Sequence, residues 1–84
     1  MLTHLALMSI YQAPAVRLEL VCEDYFGLSI EEAMRRAARN ELPVPVFRLN
    51  NSRKAPLMVS CADLGAHIDK QRAAALEHWQ QARP

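Results

Sequence analysis

The six residues GLSIEE, 27 to 32, hold a helix stop and a helix start within three positions. Gly27 can take the left-handed backbone that ends a helix without the steric cost a Cβ would add. Ser29 and Glu32 have the spacing of a capping box, in which the serine oxygen accepts from the N–H three residues on and the glutamate reaches back. Apolar residues keep helical spacing on both sides of this point. Leu18, Val21, Cys22, Tyr25 and Phe26 fall at i, i+3, i+4, i+7 and i+8, and Ile30, Ala33, Met34, Ala37 and Ala38 repeat the pattern. Two short amphipathic helices therefore meet at a tight corner within 18–40. Asn40 tolerates a left-handed exit from the second helix, and Pro43 prevents its continuation.

The flanking segments extend this pattern. Leu2, Leu5, Met8 and Tyr11 recur every three residues around Thr3 as N-cap, which predicts an N-terminal helix within 1–13, stopped by Pro14. The segment AVRLELVCEDYFG begins as a brief strand before its helical pattern sets in at Leu18. VFRLN and PLMVS predict two short strands joined by the polar NSRKA, a hairpin over 46–59. Ser60 and Asp63 then open a last helix over 60–82, whose inner stripe is Cys61, Leu64, Ile68, Ala75 and Trp79, interrupted at Gln71 and Arg72. Such a helix is about 30 Å long. Leu76 and Trp79, near its end, are either core or a dimer contact, with core the expectation. The order predicts a mainly α fold with a small β-hairpin, a winged helix-turn-helix in one domain spanning 1–84.

With 84 residues, 51% hydrophobic and 23% charged, the chain is long enough for one modest core and too apolar for general disorder. Cys22 and Cys61 stand apart, without a C-x-x-C pair, and are read as reduced core thiols of a cytoplasmic protein. His4, His67 and His78 are equally scattered, so no metal site is expected. The apolar start MLTHLALMSIY lacks the basic region and cleavage site of a signal peptide and is too short to span a bilayer. With Gly27 and Gly65 the only glycines, there is no phosphate-cradling loop. Glu23 and Asp24 have no nucleophile beside them and read as a solvated helix face. No catalytic residue, cofactor or small-molecule substrate is expected.

Charge is unevenly spread. The formal net charge is +1, yet between residues 35 and 54 Arg35, Arg36, Arg39, Arg48, Arg53 and Lys54 face Glu41 alone, a local +5 against −4 for the remaining four bases and eight acids. Local charge governs what docks. The cations fall on the outer face of the second corner helix and on the hairpin, the two elements that face DNA in a winged helix-turn-helix. Arginine predominates, which suits bidentate contacts to guanine or phosphate. Arg35, Arg36 and Arg39 are expected to make groove or flanking phosphate contacts, and Arg48, Arg53 and Lys54 mainly backbone contacts to double-stranded DNA. Glu31 and Glu32 run against this, at the helix start where phosphates approach; capping and dipole compensation explain them. Three helical arginines can also form an ion-paired solvated face.

ELVCEDYFGLS, then LPVPVFRL, a polar hairpin with a basic pair, and DLGAHIDKQRAAA, together with LALMSIY near the N-terminus, resemble the pyocin activator proteins (PrtN-like), with gaps in the right order over nearly the whole chain. That family is similar in turn to excisionase and MerR-type winged helix domains. The resemblance implies a sequence-specific DNA-binding transcriptional activator acting upstream of bacteriocin or prophage genes. RNA polymerase as a further partner and a homodimer as the working form are separate expectations. Two other readings are carried forward: an excisionase-like architectural factor that bends DNA, and a helical adaptor whose basic face meets an acidic protein.

Overall fold

The structure is a computed structural model that describes residues 2–83. Four helices and two short strands follow in the order α1 (Thr3–Tyr11), β1 (Ala15–Arg17), α2 (Leu18–Phe26), α3 (Ile30–Ala38), β2 (Met58–Ser60) and α4 (Cys61–Ala82). The expectation of a mainly helical fold with a small antiparallel β element is borne out, but the β element is not where it was expected. β2 pairs with β1, in the register Ala15 with Ser60, Val16 with Val59 and Arg17 with Met58. Of the expected 46–59 hairpin there is one bridge, in which Phe47 and Met58 exchange backbone hydrogen bonds of 3.0 and 2.7 Å. The segment closed by that bridge is a loop rather than a strand pair, because Val59, fully buried, is drawn into the core beside Val16.

The corner between α2 and α3 follows its sequence signals closely. Gly27 is left-handed at φ +66°, with its N–H donating to Glu23 O at 3.1 Å and the Leu28 N–H to Cys22 O at 3.0 Å. Ser29 Oγ accepts from the Glu32 N–H at 3.2 Å. The reciprocal half of the capping box is absent, since the Glu32 carboxylate turns to Arg35 and Arg36 instead. At the far end Asn40 is left-handed at φ +55°, and Glu41 N–H to Arg36 O (2.9 Å) with Asn40 N–H to Ala37 O (3.2 Å) complete a Schellman exit.

α1 runs antiparallel along the first half of α4. Thr3 is the first helical residue rather than the N-cap, which is Leu2, and its hydroxyl donates to Asp69 at 2.6 Å. Leu7 is the residue α1 buries, while Leu2 and Leu5 of the expected stripe are exposed. Val16, Leu18, Val21, Cys22, Ala33, Val44, Val59, Cys61 and Leu64 complete the core, and Phe26 meets His67 edge to face at 5.5 Å between centroids. Both cysteines are free and buried, and burial pushes the Cys61 thiol pKa up. The Tyr11 hydroxyl, hydrogen-bonded to Tyr25 and partly desolvated, is pushed up to about 12.

The expectation that Trp79 is core is overturned. From Lys70 onward every described residue of α4 is exposed, Ala75 and Trp79 included, and Trp79 retains 54% of its accessible surface. The helical periodicity continues past the last element able to cover it. The molecule is correspondingly long, 54 × 27 × 16 Å, with a radius of gyration of 14.5 Å where a compact chain of this length has about 12 Å.

Candidate nucleic-acid interface

The position of α3 is set by Ala33, which has no accessible surface and packs into the core. At about 100° per residue, Arg35 and Arg39 lie roughly 200° and 240° from Ala33, on the outermost side of the helix. Arg36 lies about 60° to one flank, where it lines a groove with Phe26, Glu41, Pro43 and His67. Ile30 and Met34 occupy the other flank and face the 47–58 loop. The three arginines of one sequence run therefore point in two directions.

Arg48, Arg53 and Lys54 of the loop come together on the Ile30–Met34 side, lining one cleft of about 320 Å³ with Ala55, Pro56 and Leu57. Arg36 is outside it. The loop has its own bracing: Arg48 Nε donates to Ala55 O at 3.1 Å, Ser52 N–H to Asn50 Oδ1 at 2.9 Å, and Lys54 N–H to Ser52 Oγ at 3.1 Å. These short local bonds hold a chain that has almost no ladder to hold it.

The six cations divide by what they touch. Arg35 and Arg36 share the Glu32 carboxylate at 2.9 and 3.1 Å, and these guanidinium groups, Arg36 first, hold Glu32 below the usual carboxylate range. Arg48 is tied through Nε alone. Among the described residues, Arg39, Arg53 and Lys54 make no side-chain hydrogen bond or ion pair.

The family model described as pyocin activator protein PrtN matches residues 3–75, from the first residue of α1 into the exposed half of α4. The chain belongs to the pyocin activator protein family. This family is one of regulatory activators, not an enzyme class. No curated protein and no solved structure matched the chain. The match spans every element that builds the cationic cleft, and it ends before Leu76 and Trp79. Among the described residues, no three His, Cys, Asp or Glu side chains could hold a metal, and no helix is long and apolar enough to cross a membrane.

One cleft residue was missed by sequence reasoning. Arg17, at the end of β1, lines the same cleft as Arg48, Arg53 and Lys54. A signal existed: in AVR a strand of alternating faces with Val16 inward must turn Arg17 outward. Its isolation from the 35–54 cluster in sequence hid it, because Arg17 joins the cluster only through the pairing of β1 with β2.

Proposed function

We propose that this pyocin activator family member is a sequence-specific DNA-binding transcriptional activator of bacteriocin or prophage genes, built as a winged helix-turn-helix. In this reading α2 and α3 are the helix-turn-helix, α3 enters the major groove, and the 47–58 loop is the wing. Arg35 and Arg39 reach groove edges or flanking phosphates, Arg36 contacts the backbone at the rim, and Arg48, Arg53 and Lys54 track the phosphates beside the groove. The observation that carries the reading is a cleft holding three loop cations on the Ile30–Met34 flank of α3, the flank beside the outward face that bears Arg35 and Arg39, in a chain of net charge +1. Such a concentration on one side matches the charge density of a duplex.

The protein works in the cytoplasm, at sites upstream of promoters where RNA polymerase is the next partner. It acts as a homodimer, with the exposed Leu76 and Trp79 of α4 as the surface offered to the second copy.

Binding to duplexes from upstream of a pyocin-type operon, measured by fluorescence anisotropy against a scrambled duplex over a salt series, tests this reading. Neutralising about five phosphates gives log affinity falling with log salt at a slope near −4 to −5. Arg39→Ala weakens binding by about 1 to 3 kcal/mol and relaxes preference at one base pair if Arg39 reads a base. DNA bending without transcriptional activation in a reconstituted promoter assay would favour the architectural factor. Failure to bind any duplex at low salt would hand the basic face to an acidic protein.

A further inference from the structure

We propose that the cleft between α3 and the 47–58 loop is a seat for a single phosphate group, with Arg17 as its fourth cation and Glu19 as the acid that holds Arg17 until a phosphate displaces it. This deepens the DNA reading above and rests on it for the source of the phosphate, a backbone phosphodiester.

Four cations, Arg17, Arg48, Arg53 and Lys54, meet one acid, Glu19, around about 320 Å³. That is a local +3 lining a single cleft. Ile30, Met34 and Leu57 supply an apolar wall, which lowers the local dielectric and strengthens each charge contact. Arg17 is also the cation whose backbone is best fixed relative to the loop. It is paired with Met58 in the two-stranded ladder, and the next residue, Leu18, donates its N–H to Leu57 O at 2.9 Å. Its Cα is therefore held by hydrogen bonds to the strand into which the loop returns, whereas Arg53 and Lys54 ride on the loop itself.

The Arg17–Glu19 contact is weak enough to be exchanged. The two groups are 3.4 Å apart, with more than half of each side chain exposed. Such pairs contribute little, while a guanidinium on a phosphate makes a charge-assisted, often bidentate contact. The presence of an acid at a phosphate seat has its own reason: Glu19 stands in the first turn of α2, where a carboxylate offsets the helix dipole. Glu19 therefore steadies the free protein and weakens its hold on the polyanion.

The test uses the full chain and its Arg17→Ala, Glu19→Gln and Lys54→Ala variants, with circular dichroism to confirm folding and Arg17→Gln as the alternative should the alanine variant fold poorly. Duplex affinity is measured across salt, and inorganic pyrophosphate is titrated while the Arg17 side-chain and Leu18 amide NMR signals are followed. Lys54→Ala is expected to make the salt slope shallower by about one, and Arg17→Ala to make it shallower by less, because Arg17 exchanges Glu19 rather than a solvent ion for the phosphate. Glu19→Gln is expected to tighten duplex binding by about two- to fivefold, the scale of an exposed ion pair. Pyrophosphate is expected to shift the Arg17 and Leu18 signals in the wild type and to leave Leu18 unmoved in Arg17→Ala. Wild-type affinity and slope in Arg17→Ala, with Lys54→Ala impaired, overturns the seat and leaves the DNA reading intact. If the wild type binds no duplex, the DNA reading falls; pyrophosphate shifts at Arg17 then support a seat for a free phosphate compound, and their absence removes the seat as well.

Discussion

Gly65→Ala is expected to destabilise the protein although alanine is the better helix former. Gly65 is buried in α4 where α1 crosses it, and a Cβ built there would lie 3.0 Å from His4 N, 3.1 Å from His4 Cα and 3.2 Å from His4 Cβ. Ordinary heavy-atom contacts sit at about 3.5 to 4.0 Å, so the first turn of α1 has to retreat by several tenths of an ångström. Two of the three crowded atoms are backbone, so no rotamer change at His4 relieves them. The retreat also pulls on the 2.6 Å bond from Thr3 to Asp69 and on Leu7, the residue that seats α1 in the core.

Overpacking of this kind costs about 1 to 3 kcal/mol, and the gain in helix propensity from glycine to alanine returns about 1 kcal/mol. The net is a loss of about 0 to 2 kcal/mol. For a domain of this size each kcal/mol lowers the melting temperature by about 4 to 8 °C. Urea denaturation followed by circular dichroism measures it, with Ala66→Gly, one residue along on the exposed face, as the propensity control. Of the three crowded atoms, His4→Gly in the Gly65→Ala background removes only the Cβ, together with the imidazole beyond it, and is expected to rescue little. A Gly65→Ala variant more stable than wild type by the full propensity gain would refute the reasoning, because it would mean that α1 yields freely.

Ser29→Ala removes the oxygen that accepts from the Glu32 N–H and is expected to cost about 1 kcal/mol, read from the urea midpoint. Glu32→Gln is expected to lower stability at neutral pH and to flatten its acid limb. With its folded pKa depressed by Arg36 and Arg35, Glu32 contributes stability that is present above its usual value of 4.5 and is lost as pH falls through the folded value. An acid limb below pH 4.5 that is unchanged in the variant would contradict this. The same substitution frees two guanidinium groups, so on the DNA reading it tightens duplex binding even as it weakens the fold. Trp79→Ala is expected to leave the melting temperature of dilute protein almost unchanged, since the side chain is exposed, and to lower the apparent mass in sedimentation equilibrium at high concentration; an unaltered mass would remove Trp79 from the dimer surface.

What the sequence made legible was local chemistry. Gly27, Ser29 and Asn40 each do in the structure what their residue type does in short-range backbone geometry, so the corner between α2 and α3 could be placed to within a residue or two. The strands were harder to place. Three residues contain barely one period of alternation, and whether Met58–Ser60 pairs with the segment just before it or with Ala15–Arg17 depends on which pairing buries Val59 against Val16. The same long-range pairing decides that Arg17 joins the loop cations. α4 shows the opposite problem. Its periodic stripe extends to Trp79, but periodicity reports a face and not the presence of a neighbour, and beyond Asp69 no described element packs against it. Sequence could not separate Arg36 from Arg35 either, because both are exposed helical arginines and only the burial of Ala33 fixes which flank each one takes.

The division of the cations bears on how such a surface would meet a polyanion. Arg35, Arg36 and Arg48 are held by partners within the chain, so less side-chain freedom remains to be lost on binding, but the first two first have to be shared with Glu32. Arg39, Arg53 and Lys54 have no side-chain partner among the described residues, and each would surrender up to about 2 kcal/mol of rotamer entropy if fixed on a phosphate. On the DNA reading the braced groups set register and the free ones set attraction. The free cations dominate the salt dependence, since each exchanges a solvent counterion for a phosphate, while Glu32 exchange makes the contribution of Arg35 and Arg36 smaller than their number suggests. Arg48 combines the two roles: its Nε closes the loop onto Ala55, and the residue also lines the cleft. Removing Arg48 therefore loosens the geometry that aligns Arg53 and Lys54 along with deleting a charge, so its loss is not equivalent to the loss of either loop neighbour.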